Sequence, residues 1–200
     1  IKGEKNGMWI SWYGDGTIKE KGFWKYNKKD GEWLGYFENG QPEYSIFWNN
    51  GIKHGSYMTF YRDNQLKSAG TFIHEKKDDI WFFYYKNGNK MRIESWKYGI
   101  PEGEWKYFHE NGRIKSKGRW VNDKQYGIWK FYTPEGKLKN KGLWRKDLPD
   151  GEWINYHENG KKSEQGFFSQ GKKNGIWRYF SDNGRLMIKG CWLDDLQNGE

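Results

Sequence analysis

The chain has 200 residues, 20% of them aromatic and 30% charged, with 27 Gly, one Cys and a formal net charge of +9. Ala occurs only at Ala69 and Val only at Val121, which excludes an Ala-rich helix bundle and a Val-rich parallel sheet. A chain so rich in rings is not intrinsically disordered, so the composition leaves an antiparallel β structure built on aromatics and turns.

No apolar run approaches the length of a membrane-spanning helix, and the N-terminal residues contain no apolar signal core. The single Cys191 rules out an internal disulfide framework. The sequence selects neither the cytoplasm nor the cell envelope. Its positive charge argues for an anionic partner or surface.

Read in chain order, the sequence is a repeat of 24 residues. A glycine opens most repeats, at Gly7, Gly31, Gly55, Gly103, Gly127, Gly151 and Gly175, with Asp79 in that place once. Eight repeats follow without insertion or deletion: 7–30, 31–54, 55–78, 79–102, 103–126, 127–150, 151–174 and 175–198. Residues 1–6 read as the tail of a preceding repeat and 199–200 as the opening of a ninth, so 1–200 is expected to be a single array cut from a longer one.

Three aromatic columns recur. The first is Trp9, Trp33, Tyr57, Trp81, Trp105, Trp129, Trp153 and Trp177; the second is Trp12, Tyr36, Phe60, Tyr84, Phe108, Tyr132, Tyr156 and Phe180. The third is Trp24, Trp48, Phe72, Trp96, Trp120, Trp144, Phe168 and Trp192. Between the second and third columns lie turn dipeptides such as Asp15-Gly16, Asn39-Gly40, Asn111-Gly112 and Asn159-Gly160, with Asp63-Asn64 the one without Gly. Asn-Gly and Asp-Gly predict a two-residue type I′ turn with positive φ at both positions. Each repeat is therefore a β-hairpin, and a second turn ending in Asp30-Gly31, Asp150-Gly151 or Asn174-Gly175 is expected to join repeats. The predicted fold is all-β: an elongated antiparallel hairpin array, a solenoid-like meander of about sixteen strands spanning about 75 Å at roughly 4.8 Å per strand.

Counting outward from the turn puts Trp9 opposite Gly22, Trp105 opposite Gly118, Trp129 opposite Gly142, Trp153 opposite Gly166 and Trp177 opposite Gly190. A ring covering a strand glycine restores packing where no side chain exists. Ile46 faces Trp33 and Glu94 faces Trp81, so those two hairpins are expected to be distorted or to use these positions otherwise. An alternation of Lys28, Ile52, Lys76, Ile100, Lys124, Leu148, Lys172 and Leu196, set against Ile80, Glu104, Ile128, Glu152 and Ile176, points to a structural period of 48.

The run Gly103-Glu104-Trp105-Lys106-Tyr107-Phe108, followed by Asn111-Gly112 and Gly118-Arg119-Trp120, resembles the bacterial MORN-repeat variant of YwqK-type antitoxin components. That resemblance covers essentially the whole chain. It implies a hairpin array that acts by binding, as an immunity or antitoxin partner, or as a scaffold or membrane-associated platform.

The residues offer little for catalysis or for a cofactor. His109-Glu110 and His157-Glu158 precede turns in identical columns, and His54 and His74 have no partners at ligand spacing. Asp78-Asp79 and Asp194-Asp195 read as solvated turn acids, and Cys191 as a packed thiol. Binding has better support. Arg113, Lys115 and Lys117, then Lys137, Lys139 and Lys141, recur at spacing two, which places them on one side of their strands. With Lys115 opposite Phe108 and Lys139 opposite Tyr132, they predict a stripe of ammonium groups and rings. The competing reading is a solvated lysine face that discourages aggregation.

The expected function is a non-enzymatic protein-binding scaffold, antitoxin-like in character, whose partner is a protein with an acidic surface. The alternative is a cell-envelope module that binds carbohydrate or an anionic membrane surface. Its motive is the extra aromatic column of Tyr13, Phe37, Tyr61 and Tyr85, a pattern similar to choline- or glucan-binding repeats. Nucleic acid is disfavoured, because acidic residues populate the turns and the rings fall in structural columns.

Overall fold

A computed structural model describes residues 3–198 of the protein, so Ile1, Lys2 and the expected opening of a ninth repeat at 199–200 lie outside the described residues. The chain divides into two compact halves, residues 1–100 and 101–200. The N-terminal half contains β1 (Gly7–Trp12), β2 (Ile18–Lys25), β3 (Lys28–Tyr36), β4 (Pro42–Asn49), β5 (Ile52–Phe60), β6 (Leu66–Ile73), β7 (Lys76–Tyr84) and β8 (Lys90–Lys97). The two-residue β9 (Ile100–Pro101) stands at the border. The C-terminal half contains β10 (Gly103–Phe108), β11 (Ile114–Val121), β12 (Lys124–Tyr132), β13 (Leu138–Arg145), β14 (Leu148–Tyr156), β15 (Lys162–Ser169), β16 (Lys172–Phe180), β17 (Leu186–Leu193) and the two-residue β18 (Leu196–Gln197). Within each half every strand pairs antiparallel with the next, from β1 to β8 and from β10 to β18, and no helix occurs among the described residues. The all-β hairpin meander is thus the observed architecture.

The Asn-Gly turns are not the expected two-residue type I′ turns. In the Asn-Gly turns only the second residue has positive φ, as at Gly112 (83°), Gly40 (76°) and Asn64 (66°). His109 N donates to Arg113 O at 2.8 Å and Gly112 N to His109 O at 2.9 Å, which closes a three-residue loop around a type I turn. The asparagine stays right-handed because Asn111 Oδ1 accepts the Arg113 N–H at 3.1 Å, a local bond that replaces the turn geometry of a type I′ pair. Asp15, Asn39 and Asn159 do the same. The two-residue turns with both φ positive lie between repeats, as at Tyr26-Asn27 (48° and 62°) and Lys146-Asp147 (53° and 68°). The glycines expected in those linkers sit instead inside strands: Gly31 (73°), Gly127 (76°) and Gly175 (70°) each mark a bulge where β3, β12 and β16 pair with the preceding strand.

The hairpin register matches the count from the turn in the strand centres. Trp9 pairs with Gly22, Trp105 with Gly118, Trp129 with Gly142, Trp153 with Gly166 and Trp177 with Gly190. The rings cover different glycines, however. The inter-repeat bulge swings each tryptophan back over the preceding repeat, so Trp33 lies on Gly22, Trp81 on Gly70, Trp129 on Gly118, Trp153 on Gly142 and Trp177 on Gly166. That displacement explains why Ile46 opposite Trp33 and Glu94 opposite Trp81 leave their hairpins undistorted, with continuous pairing from Gly31 to Gly35 and from Asp79 to Phe83. Glu94 uses its place otherwise: it is 4% exposed and is held by Lys77 (3.2 Å), Arg92 (2.6 Å) and Trp96 Nε1 (2.9 Å).

A 48-residue period is visible in the core. Trp33, Trp81, Trp129 and Trp177 are 0 to 2% exposed, whereas the alternate positions hold the exposed Trp9, the half-buried Tyr57 and Trp153, and Trp105 at 7%. Trp33, Trp81 and Trp177 each donate their indole N–H to the carbonyl ten residues back at 3.1 Å. The residues that carried the alternation in sequence, such as Ile100, Leu148 and Ile128, are exposed instead of sealing the junctions.

Candidate binding face

Side chains alternate along each strand, so the face opposite the tryptophans is set by the same register. In the C-terminal half this face carries a row of lysines. Lys106 on β10 is the direct partner of Lys117 on β11, Lys117 of Lys130 on β12, and Lys130 of Lys141 on β13. The row continues through Ile154, Gln165, Arg178 and Lys189. Directly opposed like charges destabilise a sheet. Lys106 pairs with Glu104 at 2.8 Å, and Glu104 is also the direct cross-strand partner of Arg119; Lys117, Lys130 and Lys141 make no ion pair among the described residues. The corresponding row of the N-terminal half reads Ile10, Lys21, Leu34, Ser45, Met58, Ala69, Phe82 and Ile93, with one cation.

The residues expected to form one stripe are divided by a bulge near each hairpin turn. Phe108 pairs with Ile114 and Tyr132 with Leu138, so Lys115 and Lys139 are the extra, unpaired residues and do not stand opposite the rings. Lys117 and Lys141, beyond the bulge, join the lysine row. Lys115, Lys137 and Lys139 line a separate groove of about 580 Å³ beside the turns, with Tyr132, Tyr156 and His157 among its walls. Burial raises the Tyr132 phenol above its ordinary pKa. Arg113 is held at its turn, where Nη1 donates to Glu135 O. His109 also lines the groove, yet His109 and His157 each use Nε2 on a backbone carbonyl, Tyr132 O at 3.0 Å and Phe180 O at 2.8 Å. Tyr13 and Tyr61 make the same bond through their hydroxyls, so this column is a structural ladder. The groove can accept a ligand with an apolar body and an anionic group.

Sequence reasoning missed a second lysine column on the aromatic face. Lys29 sits 3.8 Å from the Trp33 ring centre and 5.5 Å from Trp48; Lys77 spans Trp81 and Trp96, and Lys173 spans Trp177 and Trp192. Their recurrence at multiples of 24 was the available signal. These cations are satisfied internally: Lys29 pairs with Glu20 at 3.3 Å and Lys173 with Glu164 at 2.9 Å. Burial lowers the Lys173 pKa, but its bonds to Glu164 and Tyr179 outweigh that and hold it above the ordinary value. The remaining tryptophans of the third column, Trp24, Trp48, Trp120, Trp144 and Trp192, are half-buried structural rings. His54 and His74 meet edge to face at 4.9 Å, Cys191 is exposed instead of packed, and no three metal-ligating side chains converge among the described residues.

The matching family follows the same hairpin frame. Four stretches match the MORN repeat variant: residues 29–50, 101–122, 125–146 and 149–170. Two of them, 101–122 and 125–146, carry the lysine row. No curated protein matches the chain. Among solved structures, the chain is similar at 11% identity to the TCP10 domain of Danio rerio CPAP in complex with a peptide of Danio rerio STIL. That alignment covers 93% of this chain and 100% of the other, with a TM-score of 0.26.

Proposed function

We propose that the chain is a non-catalytic scaffold that binds another protein through the lysine face of its C-terminal half. The observation that carries this reading is the contiguous row Lys106, Lys117, Lys130 and Lys141, in which like charges sit in direct cross-strand register. Such a row costs stability, and an acidic surface docked on it turns that cost into attraction. The match to the MORN repeat variant supports a binding role by family analogy. In the antitoxin-type case that the resemblance implies, the acidic partner is the toxin.

Affinity capture from the source cells tests this. The full chain is compared with a variant carrying Lys106→Glu, Lys117→Glu, Lys130→Glu and Lys141→Glu, with circular dichroism to verify the fold. Partners retained by the native chain are expected to be lost from the variant. Equal recovery by both overturns the proposal.

A further inference from the structure

We infer that the occupant of the lysine row is a short acidic protein segment bearing an aliphatic side chain; this rests on the scaffold reading above and specifies its partner. The row runs across the strands, because each lysine is the direct partner of the next. At about 4.8 Å per strand its four stems span about 15 Å. An extended segment places same-side carboxylates about 6.7 Å apart, so three of them cover that length. Those carboxylates supply the counter-charge that Lys117, Lys130 and Lys141 lack.

Two further observations select a protein segment. Depressions of about 310 Å³ and 160 Å³ flank Ile128, which is 59% exposed. The first lies over Gly118 between Glu104, Lys117, Arg119 and Lys130; the second lies over Gly142 beside Lys141, Leu143, Glu152 and Ile154. No aromatic ring lines either one. Within the depressions nucleobases find no stacking platform, the exposed Tyr126 opposite Arg119 being the nearest ring on this face, whereas a Leu or Ile side chain there buries apolar surface against Ile128, Leu143 and Ile154. The second observation is a carboxylate in the wall of each depression, Glu104 in the first and Glu152 in the second. Glu104 holds Lys106, and Glu152 accepts from the Gln165 side chain at 2.6 Å. They repel anionic groups at the depressions, so the occupant places an aliphatic side chain there and its carboxylates over the lysines, a mixed pattern that a uniform polyanion lacks.

Fluorescence anisotropy tests the inference with the full chain and a labelled synthetic peptide in which Glu and Leu share one side of the extended chain, with Ser at the positions between them. Binding is expected to weaken as salt rises. Lys117→Glu with Lys130→Glu should weaken it on the order of tenfold or more, because attraction becomes repulsion at both contacts. Replacing every Leu of the peptide by Ser should also weaken it, and Lys21→Glu in the N-terminal half should leave it unchanged. Unchanged binding by the Lys117→Glu, Lys130→Glu variant overturns the inference. So does tighter lysine-dependent binding of oligothymidylate or of phosphatidylserine vesicles than of the peptide. If the peptide fails while lysine-dependent capture of cellular partners persists, this inference falls and the scaffold reading stands. If capture itself ignores the lysines, the scaffold reading falls.

Discussion

At the scale of single residues, the decisive contact is a tryptophan ring laid on a glycine of the preceding repeat. A Cβ added at Gly118 would stand 2.1 Å from Trp129 Cδ2, inside any permitted contact, whereas at Gly190 the nearest atom, Trp192 Nε1, is 3.5 Å away. Gly118→Ala should therefore destabilise by about 1–3 kcal/mol through overpacking, and Gly190→Ala should be close to neutral, as read by urea unfolding. Turn acids act at the same scale. Asp147 accepts the Gln125 N–H at 2.8 Å and pairs with Lys124 at 3.0 Å. The backbone bond first, and then Lys124, hold its carboxyl below the ordinary carboxylate value. A depressed folded pKa means that its stabilisation is present above the unfolded value and lost as pH falls through the folded one. Asp147→Asn should flatten the loss of stability below pH ~4, measured as Tm against pH.

At the scale of strands and turns, hairpins and their central register were legible because spacing in a β ladder is a counting problem. Trp129 opposite Gly142 needed only the position of the turn. The turn types were not legible: whether Asn111 goes left-handed depends on its side chain bonding the Arg113 N–H, a competition that the dipeptide alone does not decide. The bulges that follow from it turned the expected stripe into two sites. Lys117→Glu tests the element-level account of the row. It converts two repulsive cross-strand pairs, with Lys106 and Lys130, into attractive ones. Each is worth about 0.2–1 kcal/mol, so Tm should rise at low ionic strength, with the gain shrinking in salt, while partner binding weakens. A fall in Tm would show that the lysines are not in register.

At the scale of the whole molecule, the 48-residue period predicts which deletions preserve packing. Removing residues 31–78 from the N-terminal half brings Trp81 onto Gly22, the place Trp33 fills now. Removing only 55–78 brings Trp81 against Ile46, where no glycine receives it. The shorter deletion should cost more in melting temperature and near-ultraviolet dichroism than the longer one, against the additive expectation for identical repeats. Sequence alone determined the all-β class, the 24-residue frame and the hairpin pairing, because these depend on local spacing of rings, glycines and turn residues. The tertiary structure alone decided which glycine each ring covers, and that Lys117 of one hairpin meets Lys130 of the next, joining two lysine pairs into one row. Both depend on bulges between repeats, where a one- or two-residue slip moves side chains to new neighbours without changing the repeat in the sequence.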